Sequence, residues 1–177
     1  DYTLSYSKDT KNVGEVTVTV TGKGNYSGTV QRKYQITKAP LTVETQSDSK
    51  VYDGKPLTAP GTVKGFVEGE NAELQVTGTQ TAVGSSKNTY KIVWTETTKA
   101  DNYQVSETVG TLTVTDQSIE DSKKITVGTL SNVVYTGKNQ KQEPAVTTKD
   151  GKTTLVKETD YTLSYSKDTK NVGEVTV

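Results

Sequence analysis

Cysteine, methionine and histidine are absent from this 177-residue chain, and tryptophan, phenylalanine and arginine occur once each, as Trp94, Phe66 and Arg32. Without Cys there is neither a disulfide framework nor a thiol nucleophile. Without His there is no imidazole base, and with both missing there is no zinc site of the usual ligand set. Charge of one sign is not in excess: Lys+Arg and Asp+Glu number 21 each, so no bulk field draws the chain to nucleic acid or an acidic membrane. Long hydrophobic runs are missing too. Nothing approaches the roughly 18 consecutive apolar residues that span a bilayer, and no membrane insertion is expected of this segment. The chain opens on Asp1 without a signal-peptide pattern and reads as an internal fragment, with any targeting or anchoring signals outside it.

What is abundant is threonine, followed by valine, and ten tyrosines join them. These types favour pleated strands. Leu, Ile, Val and Phe together make up about a fifth of the chain. Such a fraction borders on disorder only when the net charge is high, and here it is zero. The composition therefore predicts β structure with thin cores.

The stretch from Asp1 to Val18 and the stretch from Asp160 to Val177 are identical, DYTLSYSKDTKNVGEVTV, so the repeat period is the step from Asp1 to Asp160. Solenoid repeats run about 20–50 residues, so a period this long holds more than one structural unit. Weaker echoes divide it. Val51-Tyr52-Asp53-Gly54-Lys55 returns as Val134-Tyr135-Thr136-Gly137-Lys138, Val13-Gly14 as Val83-Gly84, and Asn25-Tyr26 as Asn102-Tyr103. Two related modules, A and B, are expected to alternate. Residues 1–38 are the C-terminal part of A, 39–115 a complete B, 116–123 a polar linker, and 124–177 the N-terminal part of the next A with the duplicated stretch. Pro40 stiffens the start of B by fixing φ.

From Glu15 to Thr21 apolar and polar residues alternate, with Val16, Val18 and Val20 on one face and threonines on the other. The same pattern turns Leu41 and Val43, Ile92 and Trp94, Leu112 and Val114, and Ile125 and Val127 inward. It gathers Tyr161, Leu163 and Tyr165 on one face. Glycine-bearing polar turns separate the runs, and no segment has a helical period. About six to eight short strands per module predict an all-β fold of tandem β-sandwich modules, one complete and one cut in two by the chain ends.

The run VYDGKPLT at 51–58, VKGF at 63–66 and the late Asp101-Asn102-Tyr103 resemble the MBG family of bacterial surface repeats. Module A, with VYTGKNQKQEPAV at 134–146, DYTLSYSKDTKNVG at 160–173 and GKGNYSG at 22–28, is similar to Ig-like repeats of Gram-positive surface proteins. The resemblance implies immunoglobulin-like sandwiches in tandem, in an extracellular, wall-anchored, adhesin-like protein. There they act as stalk spacers or, in some cases, bind host ligands.

Candidate sites are few. Phe66, Tyr90 and Tyr103 are the aromatic residues through which module B loops would contact a host glycan or protein. Trp94 could stack on a sugar, but it shares a strand face with Ile92, which assigns it to a core or inter-sheet position. Tyr52 and Tyr135 recur as structural anchors. Glu68, Glu70, Glu73, Glu96 and Asp101 fall on polar turns or solvent faces, so they form no glycosidase pair. Asp116, Glu120 and Asp121 could bind Ca²⁺, although their spacing is that of a solvated linker. Outward Thr17, Thr19 and Thr21 suit a strand better than an ice-binding plane. Alternation gathers no Lys–Asn–carboxylate trio for an isopeptide bond, and Gly22, Gly24 and Gly28 lack the strand–loop–helix context of a phosphate loop. No enzymatic activity, cofactor or metal is expected.

The expected function is structural: a repeat pair that projects a distal region from a cell surface, with neighbouring repeats as partners. The severed module A suggests a further partner, a second fragment completing it head to tail by strand addition.

Overall fold

The structure is a computed structural model that describes residues 1–177 except Lys8 and Lys167. The chain divides into two compact units, Asp1–Asp116 and Gln117–Val177.

The first unit begins with an antiparallel meander of β1 (Tyr2–Tyr6), β2 (Gly14–Gly22) and β3 (Thr29–Ile36). Its register sets Leu4 opposite Val20, Tyr6 opposite Val18, Val20 opposite Val30 and Val16 opposite Tyr34. Directly opposed side chains share a face, so these residues make one face that is apolar except for Arg32, which stands opposite Val18, while Thr17, Thr19, Gln31 and Lys33 make the other. The inward valines are only partly so. Val16 is buried, but Val18 and Val20 are half-buried, because the apolar face is covered chiefly at its Val16 end.

Further strands follow between residues 39 and 115. They are β4 (Ala39–Thr45), β5 (Asp48–Val51), β6 (Gly61–Lys64), β7 (Ala72–Val76), β8 (Gly84–Lys87), β9 (Tyr90–Trp94), β10 (Tyr103–Thr108) and β11 (Thr111–Thr115). One sheet has the order β10-β4-β6, a second β5-β11-β8, and β7 pairs with β9. The first and last segments run parallel, β4 beside β10 and β5 beside β11. Only Gln46 and Ser47 separate β4 from β5, and only Val109 and Gly110 separate β10 from β11. Both segments therefore pass from one sheet to the other at the same corner, a recognised device of packed sheets. Leu41, Val43, Leu112 and Val114 are fully or almost fully buried, as their alternation requires. Leu57 and Ala59 join Leu112 and Val114 in one cluster. Burying a Val or Leu side chain contributes roughly 1.5–3 kcal/mol, and the small number of them makes this a thin core.

The crossing corner is held by polar groups. Thr45 Oγ1 donates to Asn88 O at 2.8 Å and accepts the Gly110 N–H at 3.0 Å. Asn88 Nδ2 donates to Gln46 O at 2.9 Å and Ala59 O at 3.0 Å, and the Asn88 N–H donates to Gly110 O. Asn88 is fully buried, and its Oδ1 has no partner among the described residues. The backbones approach so closely that a Cβ on Gly110 would stand 2.3 Å from the carbonyl of Gln46.

In the second unit β12 (Ile125–Val127) pairs with β13 (Val146–Thr148) and, among the described residues, with no other strand. Ile125 and Val146 are buried, whereas Val127, expected to face inward, is exposed, because this two-stranded ribbon leaves its far end uncovered. The 116–123 stretch is not featureless: Asp121 O accepts the N–H groups of Lys124 and Ile125, and its carboxylate accepts the Lys123 N–H. Tyr161, Leu163 and Tyr165 are each half-buried between exposed neighbours, and Tyr161 forms a bridge with Lys157. The sequence that forms β1 and most of β2 at the start of the chain thus has no extended ladder among the described residues of its second copy. Among the described residues no helix is long and apolar enough to cross a membrane.

Candidate functional site

The turn between β1 and β2 is built by one carboxylate. Asp9 Oδ1 accepts the N–H groups of Lys11 and Asn12, each at 2.9 Å, and Oδ2 accepts the Asn12 side-chain amide at 2.8 Å. These bonds favour the charged form, and the Asn12 backbone N–H first among them holds the Asp9 carboxyl down to about 2. Asp168, Lys170 and Asn171 reproduce the turn in the second copy, and Asp168 is likewise lowered, chiefly by the Asn171 N–H.

That turn meets residues beyond β9. Asn102, at the end of a single 3-10 turn (Ala100–Asn102), donates from Nδ2 to Asn12 Oδ1 at 3.0 Å. Its Oδ1 accepts the Val13 N–H, also at 3.0 Å. One amide side chain thus satisfies a donor and an acceptor that lie far from it in sequence. Asn12, Val13 and Asn102 are each half-buried. The recurring Asn-Tyr and Val-Gly pairs marked both partners, but sequence alone did not show that they meet. The chain link is short as well, since only Thr37 and Lys38 separate β3 from β4.

Beside Asn102 the aromatic residues gather. Tyr103 is almost fully buried and stacks on Trp94, with ring centroids 5.8 Å apart, while Phe66 sets an edge against both, at 5.4 Å from Tyr103 and 6.2 Å from Trp94. Such pairs contribute about 0.5–1.5 kcal/mol beyond the area they bury. Tyr103 Oη donates to Glu70 Oε2 at 2.8 Å and accepts the Val67 N–H at 3.2 Å. Burial pushes its phenol up, and Glu70 adds to this against the lowering effect of Val67.

Tyr90, the third sequence candidate, stands apart. It donates to Glu107, and burial followed by that carboxylate pushes its pKa up to about 12. The structure therefore brings Phe66 and Tyr103 together, adds Trp94 to them, and leaves Tyr90 in a separate pair. Both phenols are held as proton donors at neutral pH. Of the candidate carboxylates, Glu70 is taken up by Tyr103. Among the described residues no group of three or more His, Cys, Asp or Glu side chains is placed to hold a metal ion. Tyr52 and Tyr135, expected as anchors, are exposed.

No curated protein and no solved structure matches this chain. Residues 41–113, which contain the Thr45–Asn88 corner and the Phe66–Trp94–Tyr103 cluster, match the family model of the MBG domain (YGX type), so this central module is similar to the repeat modules of surface proteins.

Proposed function

We propose that the chain is a structural repeat unit of a bacterial cell-surface stalk, a spacer that projects a distal functional region, with wall anchoring supplied by regions outside it. It performs no catalysis in this reading. The observation that carries it is the clamp of Asn102 on Asn12 and Val13, together with the short link Thr37–Lys38. A spacer must resist bending at its joints. A short tether limits the separation of two modules, and a paired side-chain contact away from the tether limits their rotation.

Repetition then supplies length. A strand rises about 3.3 Å per residue, so the nine residues of β2 span roughly 30 Å, and one A–B unit adds about 60–80 Å if modules of that length stack end to end. Small-angle X-ray scattering on arrays of one, two and three complete repeat units tests this. Linear growth of the maximum dimension by about 60–80 Å per unit is expected, and growth well below that overturns the spacer reading.

The alternative is a binding module for a host glycan or extracellular protein through the module B loops. What favours it is the half-exposed pair of Phe66 and Trp94 beside exposed Val67. Quenching of the single Trp94 by a panel of glycans is the check, and an unmoved emission spectrum leaves the spacer alone.

A further inference from the structure

The hydrogen bonds between the β1–β2 turn and Asn102 all run in one direction. The Val13 N–H donates to Asn102 Oδ1 at 3.0 Å, Asn102 Nδ2 donates to Asn12 Oδ1 at 3.0 Å, and Asn12 Nδ2 donates to Asp9 Oδ2 at 2.8 Å. Each amide accepts at its oxygen and passes the chain on at its nitrogen. The two ends differ in kind. A backbone N–H only donates and an ionised carboxylate only accepts, so neither amide can turn over without setting donor against donor or acceptor against acceptor. Bonds in such a chain polarise one another, and the one that ends on a charge belongs to the stronger class.

Asp9 therefore has two separable tasks. Its Oδ1 closes the turn by accepting the Lys11 and Asn12 backbone N–H groups. Its Oδ2 takes the Asn12 side-chain amide and so fixes which end of that amide, the oxygen, is offered to Asn102. The turn sets this orientation by itself. In the second unit Asn171 Nδ2 donates to Asp168 Oδ2 at the same 2.8 Å, and among the described residues no asparagine bonds to Asn171 from outside the turn. Across the joint, Lys99, which precedes the 3-10 turn carrying Asn102, adds an attraction to the Asp9 charge.

We infer that Asp9 determines the specificity of the joint: its Oδ2 makes the β1–β2 turn a receptor for one asparagine side chain, that of Asn102, and turns a carboxylate away. A carboxylate in place of the Asn102 amide would accept from the Val13 N–H but would set its second oxygen against Asn12 Oδ1. Asp9 is a positioning residue, because it acts on Asn102 through Asn12. The selectivity is an example of unpaired polar groups working against the wrong partner. The inference concerns how the two parts recognise each other; only the use of that recognition to stiffen a stalk rests on the spacer reading.

Asp9→Asn in the whole chain separates the two tasks. The new amide keeps an oxygen for the Lys11 and Asn12 N–H groups but points its nitrogen at Asn12 Nδ2, donor against donor. Hydrogen exchange at the Val13 N–H is expected to quicken roughly tenfold, the scale of a lost bond in a charge-assisted chain, while Lys11 and Asn12 exchange as in wild type. Backbone relaxation should then give residues 1–38 and 39–115 separate tumbling times. Asn12→Asp, which sets two carboxylates face to face, and Asn102→Asp should do the same. Combining Asp9→Asn with Asn12→Asp exchanges the two groups: the amide now donates to the carboxylate, whose other oxygen accepts from Asn102 Nδ2. That double variant should restore one tumbling time and slow Val13 exchange, a non-additivity that a merely structural role does not produce. Faster exchange at Lys11 and Asn12 together with Val13 in Asp9→Asn would show that Asp9 only closes the turn, and would overturn the inference. An unchanged joint in Asp9→Asn, or a double variant that restores nothing, would overturn it too. Scattering lengths judge the spacer reading separately, so either can fail while the other stands.

Discussion

The hydroxyl of Thr45 and the carbonyl of Asn88 form a 2.8 Å hydrogen bond in a place where both residues are almost inaccessible to water. Around it lie the Gln46, Ala59 and Gly110 carbonyls, each answered by a donor from Asn88. This polar knot fixes the corner at which two parallel segments change sheets, a point where regular ladder bonding is interrupted and backbone groups need other partners.

Asn88→Ala removes the side-chain donor from Gln46 O and Ala59 O. Leaving a buried acceptor unsatisfied costs about 1–3 kcal/mol, so a loss of at least that size is expected. Urea unfolding followed by Trp94 emission measures it. An unchanged midpoint would show that water replaces the amide.

Gly110→Ala tests the closeness of the same crossing. The added Cβ would meet backbone atoms of Gln46 and Ser47 at 2.3–2.6 Å, and backbone cannot step aside as a side-chain tip can. Overpacking of this kind costs about 1–3 kcal/mol. The unfolding midpoint should fall by an amount comparable to that of Asn88→Ala, and the double variant should be less than additive because the two sites share partners.

Asp9 makes the β1–β2 turn sensitive to acid. Its folded pKa, about 2, lies below the ordinary value of 3.8, so its contribution is complete above that ordinary value and disappears as pH falls through about 2. Nuclear magnetic resonance titration of the carboxyl carbons should find Asp9 and Asp168 among the last aspartates to protonate. Asp9→Ala should flatten the acid limb of stability.

At the alkaline end the sign reverses. Tyr90 and Tyr103 are raised above the ordinary 10.0, Tyr90 to about 12, so their contribution is complete below that ordinary value and is lost as pH rises through the folded ones. Absorbance titration should show these two among the ten tyrosines ionising late. Tyr103→Phe should remove one late step and cost about 1 kcal/mol, the net value of a typical hydrogen bond.

Asn102→Ala addresses the joint between β1–β3 and the strands that follow without entering either core. Backbone relaxation should then give residues 1–38 and 39–115 separate tumbling times, where wild type gives one. Equal times in the variant would assign the stiffness to the Thr37–Lys38 link alone.

Alternation made much of this fold legible. Leu41, Val43, Leu112 and Val114 lie where a period of two puts them, and the glycine-bearing turns separate the strands. Alternation tells which face is apolar but not what covers it. Val127 is exposed and Val18 half-covered for that reason, while Tyr161–Tyr165 keeps its alternation without a ladder among the described residues. The parallel pairing of β4 with β10 was beyond reach, since no local signal joins positions as distant as Ala39 and Tyr103. Nothing in the sequence singles out Asn88, because buried and exposed asparagines look alike there. Of the aromatic candidates, Phe66 and Tyr103 meet, and Tyr90 finds its partner on another strand.

The Asp9 turn and the Asp168 turn close with the same three bonds, although among the described residues only the first joins two strands of a ladder. The turn therefore does not wait for its neighbours. A hairpin forms in about 1–10 μs, and a ribosome adds about 5–20 residues each second. Once clear of the ribosome, the first copy closes this loop before the next residue is added, which sets a local landmark ahead of the identical stretch that begins at Asp160. Where the wrong partner has the right sequence, as the second copy does, that head start favours pairing between adjacent segments over pairing with the distant copy.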